Sequence, residues 1–318
     1  MNAFQDLLGQ ENAVKLLLQA VKLNRIAPAY LFAGTPGIGR TIAARSFTQL
    51  LLTADLAPDR AHQGSKKLQT GNHPDLLWVE PTYLKAGELY TATQAAEKGL
   101  ERKTPPKIRI EQIRYLTEFL TRPALEARRQ VVVIDDAQTM AEAPANALLK
   151  TLEEPGNATL ILIAPDTDSL LTTLVSRCQQ INFYPLSIAN LTTILEHSGY
   201  AEILQHPELL AIAQGSPGKA IAAWQQLQLI PPELLPRLKR SPATALEALK
   251  LAQVITSELT GETQLWLIDY LQYQYWQENQ QVGLMSTWEK TRKCLLRYVQ
   301  PRLAWECALL EVLKEQDE

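Results

Sequence analysis

Cysteine is scarce in this chain. Cys178, Cys294 and Cys307 are the whole complement, odd in number and far apart. They cannot build a disulfide framework, and reduced thiols in a cytoplasmic protein are the expectation. Long apolar runs are missing as well; none approaches the roughly 18–20 residues that a membrane span needs. The opening "MNAFQDLLGQEN" lacks the charged-then-apolar layout of a signal peptide. Neither sign of charge dominates: 31 Lys and Arg face 34 Asp and Glu, a net charge of −3. That balance excludes a surface that coats nucleic acid uniformly and leaves room for local basic patches. What is present, 46% hydrophobic and 20% charged residues over 318 positions, suits a soluble chain of two or three domains with a large core.

The first half alternates short apolar runs with amphipathic segments. "AYLFAG" (29–34), "DLLWVEP" (75–81), "RQVVVIDDAQ" (129–138) and "ATLILIAP" (158–165) read as strands. "TIAARSFTQLLLT" (41–53), "RIEQIRYLTEFLTRPA" (109–124) and "EAPANALLKTLEEPG" (142–156) read as helices; Ile110, Ile113, Leu116 and Leu120 form the stripe of the second. This alternation predicts a parallel sheet with helices on both faces. Residues 54–74 and 82–107 carry little pattern and are expected to be exposed loops with one helix at 87–99. Beyond "FYPLS" (183–187) the chain turns helical, with short helices around Gly215-Ser-Pro-Gly218 and longer ones from "PPELLPRLKRSP" (231–242) onward. The expected fold class is therefore α/β plus all-α, in domains 1–184, 185–228 and 229–318.

One stretch carries chemistry. Gly34-Thr-Pro-Gly37-Ile-Gly39-Arg40-Thr41 fits G-x-x-x-x-G-K-[ST] except at the lysine. A glycine loop between strand and helix points backbone N–H groups at one spot beside the positive end of a helix dipole, which suits phosphate. The lysine of such a loop reaches the terminal phosphates, and its Ser or Thr holds Mg²⁺; Thr41 stands in the second position. Asp135-Asp136, after four apolar residues, match the strand whose first acid contacts the Mg²⁺ shell and whose second orients water.

"FQDLLGQENAVKLLLQAV" (4–21), "GNHPDLLWVEP" (71–81), "NALLKTLEEPG" (146–156) and "LVSRCQQINFYPLS" (174–187) make the resemblance specific. Together they resemble the AAA+ subunits of the bacterial DNA polymerase III clamp loader, and within that family its delta-prime branch. The resemblance covers residues 1 to about 225 with strong motifs; beyond that only the helical character is shared. It implies an AAA+ P-loop core, a small helical lid and a C-terminal helical collar.

Measured against the family's motor subunits, several ATP-handling groups are changed. Arg40 replaces the loop lysine, a planar fork in place of a compact point charge. Asp136 stands for the water-activating glutamate and is one methylene shorter; a misplacement of about 1 Å can cost about 10²-fold in rate. Pro165 takes the place of a polar residue, with Asp166 or Thr167 as substitutes, and Gly218 replaces a phosphate-sensing arginine. These concordant changes predict a subunit that does not turn over ATP, with Gly34, Gly37, Gly39, Arg40, Thr41, Asp135 and Asp136 as a degenerate ATP/Mg site. No cofactor is required on this reading, although ATP or ADP with Mg²⁺ can bind weakly. The alternatives are a working ATPase, or an AAA+ remodeller such as a branch-migration motor, which "NALLKTLEEP" disfavours.

The intact motif is Ser176-Arg177-Cys178. The resemblance implies that Arg177 is a trans arginine finger reaching a neighbour's ATP; an ordinary surface ion pair is the bland reading. Cys178 reads as a packing thiol. Many relatives carry a four-cysteine zinc module where "ADLAPDRAHQGSKKLQT" (54–70) stands, and His62 with His73 cannot replace it, so zinc is predicted absent. His73 reads as a turn residue. Implied partners are tau/gamma-type motor subunits and a delta subunit in a hetero-pentameric ring, the sliding clamp indirectly, and primer-template DNA through the complex, with no membrane. Lys103, Lys107, Arg109 and Arg114 are candidate DNA-phosphate contacts or a solvated basic face. Trp266, Tyr270, Tyr273 and Trp276 in "LWLIDYLQYQYWQ" (265–277) are candidate collar anchors or an internal core.

Overall fold

The computed structural model describes residues 3–100, 104–240, 242–279, 282–297 and 299–314. The chain divides into two compact units, Met1–Asn190 and Leu191–Glu318.

The first unit is built on β1 (Ala29–Ala33), β2 (Leu76–Val79), β5 (Gln130–Ile134), β6 (Ala158–Ala164) and β7 (Gln179–Asn182), a parallel sheet in the order β2-β5-β6-β1-β7. A separate antiparallel hairpin, β3 (Thr82–Lys85) with β4 (Glu88–Thr91), lies outside it. Every residue of β1, β5 and β6 is buried, which is why these strands read as continuous apolar runs. Alternate side chains serve opposite faces. Tyr30, Phe32, Val131, Val133, Ile161 and Ile163 pack with α1 (Glu11–Lys22) and α2 (Arg40–Thr53), where Phe47 meets Tyr30 edge-on at 5.1 Å. Leu31, Val132, Ile134, Leu160 and Leu162 pack with α5 (Ile110–Thr121) and α6 (Glu142–Glu153).

Two expectations are corrected. Residues 58–69 form α3 rather than a loop: Pro58 opens its first turn and Lys66 and Lys67 lie in its last, where the dipole favours cations. The predicted helix at 87–99 shrinks to α4 (Ala92–Glu97), because β4 takes the residues before it and Thr91 caps the helix with Gln94 in a capping box. Strand β7 was not anticipated at all; only Ile181 of its Gln-Gln-Ile-Asn is buried, so it lacks an apolar signature.

The second unit is helical. The remaining helices are α7 (Thr172–Val175), still in the first unit, α8 (Ile188–His197) across the division, and then α9 (Pro207–Ala213), α10 (Pro217–Gln228), α11 (Leu234–Lys239), α12 (Ala245–Glu258), α13 (Gly261–Asn279), α14 (Val282–Leu296) and α15 (Pro301–Lys314). Leu191, Leu195, Ile203, Leu209, Ala213, Ala220 and Ala223 make one core cluster. A second runs from Ile230 to Val312 around Trp288 and Trp305, whose rings are 6.1 Å apart. Tyr270 is buried in it, Trp266 and Tyr273 are half-buried, and Trp276 is exposed.

Candidate functional site

The glycine loop joins the end of β1 to α2. Gly37 and Gly39 adopt φ of 78° and 106°, a region that side chains avoid, and Gly39 is the N-cap of α2. Gly34 has a different reason for being glycine: a Cβ there would lie 2.7 Å from both Cβ and the carbonyl oxygen of Phe183. The N-terminal segment also presses on the loop. A Cβ at Gly39 would lie 2.5 Å from Leu7 Cδ1. Gln10, buried, donates to the Ile38 and Tyr184 carbonyls (3.5 and 2.8 Å) and accepts from Tyr184 N–H at 3.2 Å.

Arg40 does not reach out of this loop; it is only 5% exposed. Burial pushes its pKa down, and the charges of Asp136 and then Asp135 push back. Its Nη1 is buried without a hydrogen-bond partner. Asp135 follows β5, its N–H bonded to the Val79 carbonyl at 2.8 Å. One of its carboxylate oxygens accepts from the Thr41 hydroxyl at 3.4 Å and the other from Asp136 N–H at 3.0 Å. Burial first, then repulsion from Asp136, raises the Asp135 pKa above the usual carboxylate range; the Asp136 N–H, Arg40 and Thr41 oppose that rise. Asp136 takes a left-handed turn at φ 49°, and its carboxylate accepts from Gln138 Nε2 at 3.1 Å. Glu80, at the end of β2, is raised by burial and by Asp135 and lowered by Arg45. All seven predicted loop and acid residues thus lie beyond the C-terminal ends of β1 and β5, at the start of α2.

A nucleotide with Mg²⁺ is the group such a loop holds, and the fit is divided. The glycine turn, the N-terminus of α2 and the unpartnered Arg40 Nη1 suit an anion. The acids that a metal would use are already engaged by the Thr41 hydroxyl and the Gln138 amide, and Asp135 is held toward its neutral form. Asp166, a possible stand-in for the missing polar group near Pro165, instead accepts Ser169 N–H at 2.7 Å in a local turn. Gly218 is the second residue of α10 and offers no side chain.

Arg177 lies elsewhere, just beyond α7, and is exposed. Its Nη2 is 2.8 Å from Glu153 Oε1 and its Nη1 donates to the Thr173 carbonyl at 3.0 Å. Cys178 beside it is half-buried, and burial pushes its pKa up to about 12, so the thiolate is suppressed.

A family model described as "DNA polymerase III, delta subunit" matches residues 9–187, and one described as "Cyanobacterial DNA polymerase III delta prime, C-terminal domain" matches 189–312. The chain belongs to the DNA polymerase III delta-prime family. It is 33% identical over 182 residues to DNA polymerase III subunit delta' of Bacillus subtilis (strain 168), covering 56% of this chain and 48% of that one. It is 36% identical over 198 residues to the Pseudomonas aeruginosa delta', covering 60% and 54%. The tau subunit of Escherichia coli (strain K12) is 29% identical over 234 residues, 70% of this chain and 32% of tau. The chain thus spans about half the length of the delta-prime relatives it matches.

Two features of this delta-prime chain went unread in the sequence. The buried Asp75 carboxylate accepts the N–H groups of Leu125, Glu126 and Ala127 at 2.7, 2.8 and 2.7 Å, which explains the acid of "GNHPD". His73 accepts Asp75 N–H on Nδ1 at 3.1 Å, a turn role, while its Nε2 is buried without a partner. Glu153, the partner of Arg177, also went unread. Among the described residues no cluster of three or more His, Cys, Asp or Glu could hold a metal ion, and no helix is long and apolar enough to cross a membrane. Of the basic candidates, Lys107 and Arg114 are exposed, Arg109 is half-buried with its Nε unpartnered, and Lys103 falls outside the described residues.

Proposed function

We propose that this chain is a non-hydrolysing stator of a DNA polymerase III clamp loader, which supplies Arg177 to the ATP site of a neighbouring motor subunit. The observation that carries the reading is the fate of Arg40: where a motor subunit has a lysine reaching the phosphates, this side chain is buried in the loop, within range of the charges of Asp136 and Asp135. Of its two acids, the first is held toward its neutral form and the shorter second is tied to Gln138, which leaves a metal little to bind. Arg177, by contrast, stands exposed on the motif shared with the family. A trans arginine stabilises charge on the transferred phosphoryl group and is worth about 10³–10⁵ in rate in other NTPases. On this reading the partners are tau/gamma-type motor subunits and a delta subunit in a hetero-pentameric ring. The ring acts on primed DNA and a sliding clamp, and residues 229–318 form the collar.

One observation favours a second reading, a working ATPase: the unpartnered Arg40 Nη1 suits a phosphate oxygen. The two separate by assay. On the stator reading the isolated chain shows no ATPase activity, and Arg177→Ala leaves the reconstituted complex assembled while reducing its ATPase. Robust turnover by the isolated chain, abolished by Asp135→Ala, would overturn it.

A further inference from the structure

We propose that Glu153 is a positioning residue for Arg177, holding the guanidinium against its own subunit and releasing it when a neighbour's nucleotide arrives. This rests on the trans-arginine reading above and adds to it the group that restrains the finger.

Both η nitrogens of Arg177 are engaged within the subunit, one by Glu153 Oε1 at 2.8 Å and the other by the Thr173 carbonyl at 3.0 Å. That carbonyl is available because α7 stops: the Arg177 N–H bonds to Leu174 O at 3.1 Å, leaving Thr173 O to the Arg177 and Ser176 side chains. Glu153 is the last residue of α6, followed by a second acid, Glu154. A helix C-terminus disfavours carboxylates, so an acid pair there is poorly placed except as a receptor for a cation brought in from outside the helix. Arg177 is that cation, 24 residues away in sequence.

The pair is also weak enough to exchange. The side chains are 38% and 52% exposed, so water and salt compete for both. Bidentate contact with a phosphate needs the same two η nitrogens, and a carboxylate at hydrogen-bond distance would repel that phosphate. Docking on a neighbour's nucleotide therefore requires the Glu153 contact to break. An exposed pair of this kind reduces the population of the competent arginine by up to about fivefold.

The test is steady-state ATPase against ATP concentration in the reconstituted complex, with Glu153→Gln, Arg177→Ala and the double variant. Glu153→Gln keeps the shape and removes the charge. The expected result is a kcat/KM for ATP raised by up to about fivefold, and no effect of Glu153→Gln in the Arg177→Ala background. A kcat/KM that is unchanged or lowered, or an equal shift in both backgrounds, would overturn the latch. If Arg177→Ala itself left activity intact, the finger reading would fall and the latch with it. If Arg177→Ala reduced activity while Glu153→Gln was silent, only the latch would fall.

Discussion

Replacing Asp75 tests how the first unit is held together. Its carboxylate is 1% exposed and receives three backbone N–H groups from the segment that leads from α5 into β5. In Asp75→Asn the amide oxygen can still serve Glu126 and Ala127, which share one carboxylate oxygen. The new NH₂ then faces the Leu125 N–H, donor against donor. One charge-assisted bond is lost and two become neutral, which costs about 2–4 kcal/mol. In Asp75→Ala all three N–H groups lose their acceptor in a buried site, at about 1–3 kcal/mol each, for a loss of about 4–6 kcal/mol after partial hydration. Against a typical domain stability of about 5–15 kcal/mol, the alanine variant brings this unit near its limit. Urea-dependent hydrogen exchange of peptides covering β2 and the 122–131 segment reads the first unit apart from the second. Asp75→Asn within about 1 kcal/mol of the native chain, or Asp75→Ala no worse than Asp75→Asn, would refute the reasoning.

Two further outcomes follow from the same unit. His73 is held below its ordinary pKa of 6.5 chiefly by burial, against the pull of Asp75 and Glu126. The unfolded chain takes up a proton near that value and the native chain resists, so stability should fall as pH drops below about 6.5. His73→Asn keeps an acceptor for the Asp75 N–H and should flatten that fall; parallel stability curves between about pH 7 and pH 5 would contradict it. Gly34→Ala should destabilise by about 1–3 kcal/mol, because its Cβ would meet the Phe183 backbone rather than a movable side-chain tip. A melting temperature equal to the native chain's would show that β1 and β7 are free to separate there.

The periodic parts of this fold were legible from residues alone. β1, β5 and β6 are buried on both faces, so their sequences are unbroken apolar runs; α2 and α6 follow β1 and β5 at short distance, and α5 leads into β5. The glycine loop was legible because its backbone angles demand glycine at fixed places. What carries little local signal was missed. β7 is a polar strand at the end of the sheet order, recruited by pairing with β1, and the β3–β4 hairpin and α3 lie in segments without an apolar stripe.

For the candidate site the division is physical. Sequence by itself determined which groups are present: an arginine where a lysine belongs, a short second acid, glycine and proline at two further positions, and an arginine in an intact motif. Only the tertiary structure decided what those groups touch, because each contact joins segments distant in the chain. Arg40, at the start of α2, is buried within range of the charges of acids beyond β5, Asp75 collects amides 50 to 52 residues away, and Arg177 rests on Glu153 at the end of a different helix. Burial keeps Arg40 inside the loop, while exposure leaves Arg177 free to exchange partners, and neither property is written in local spacing.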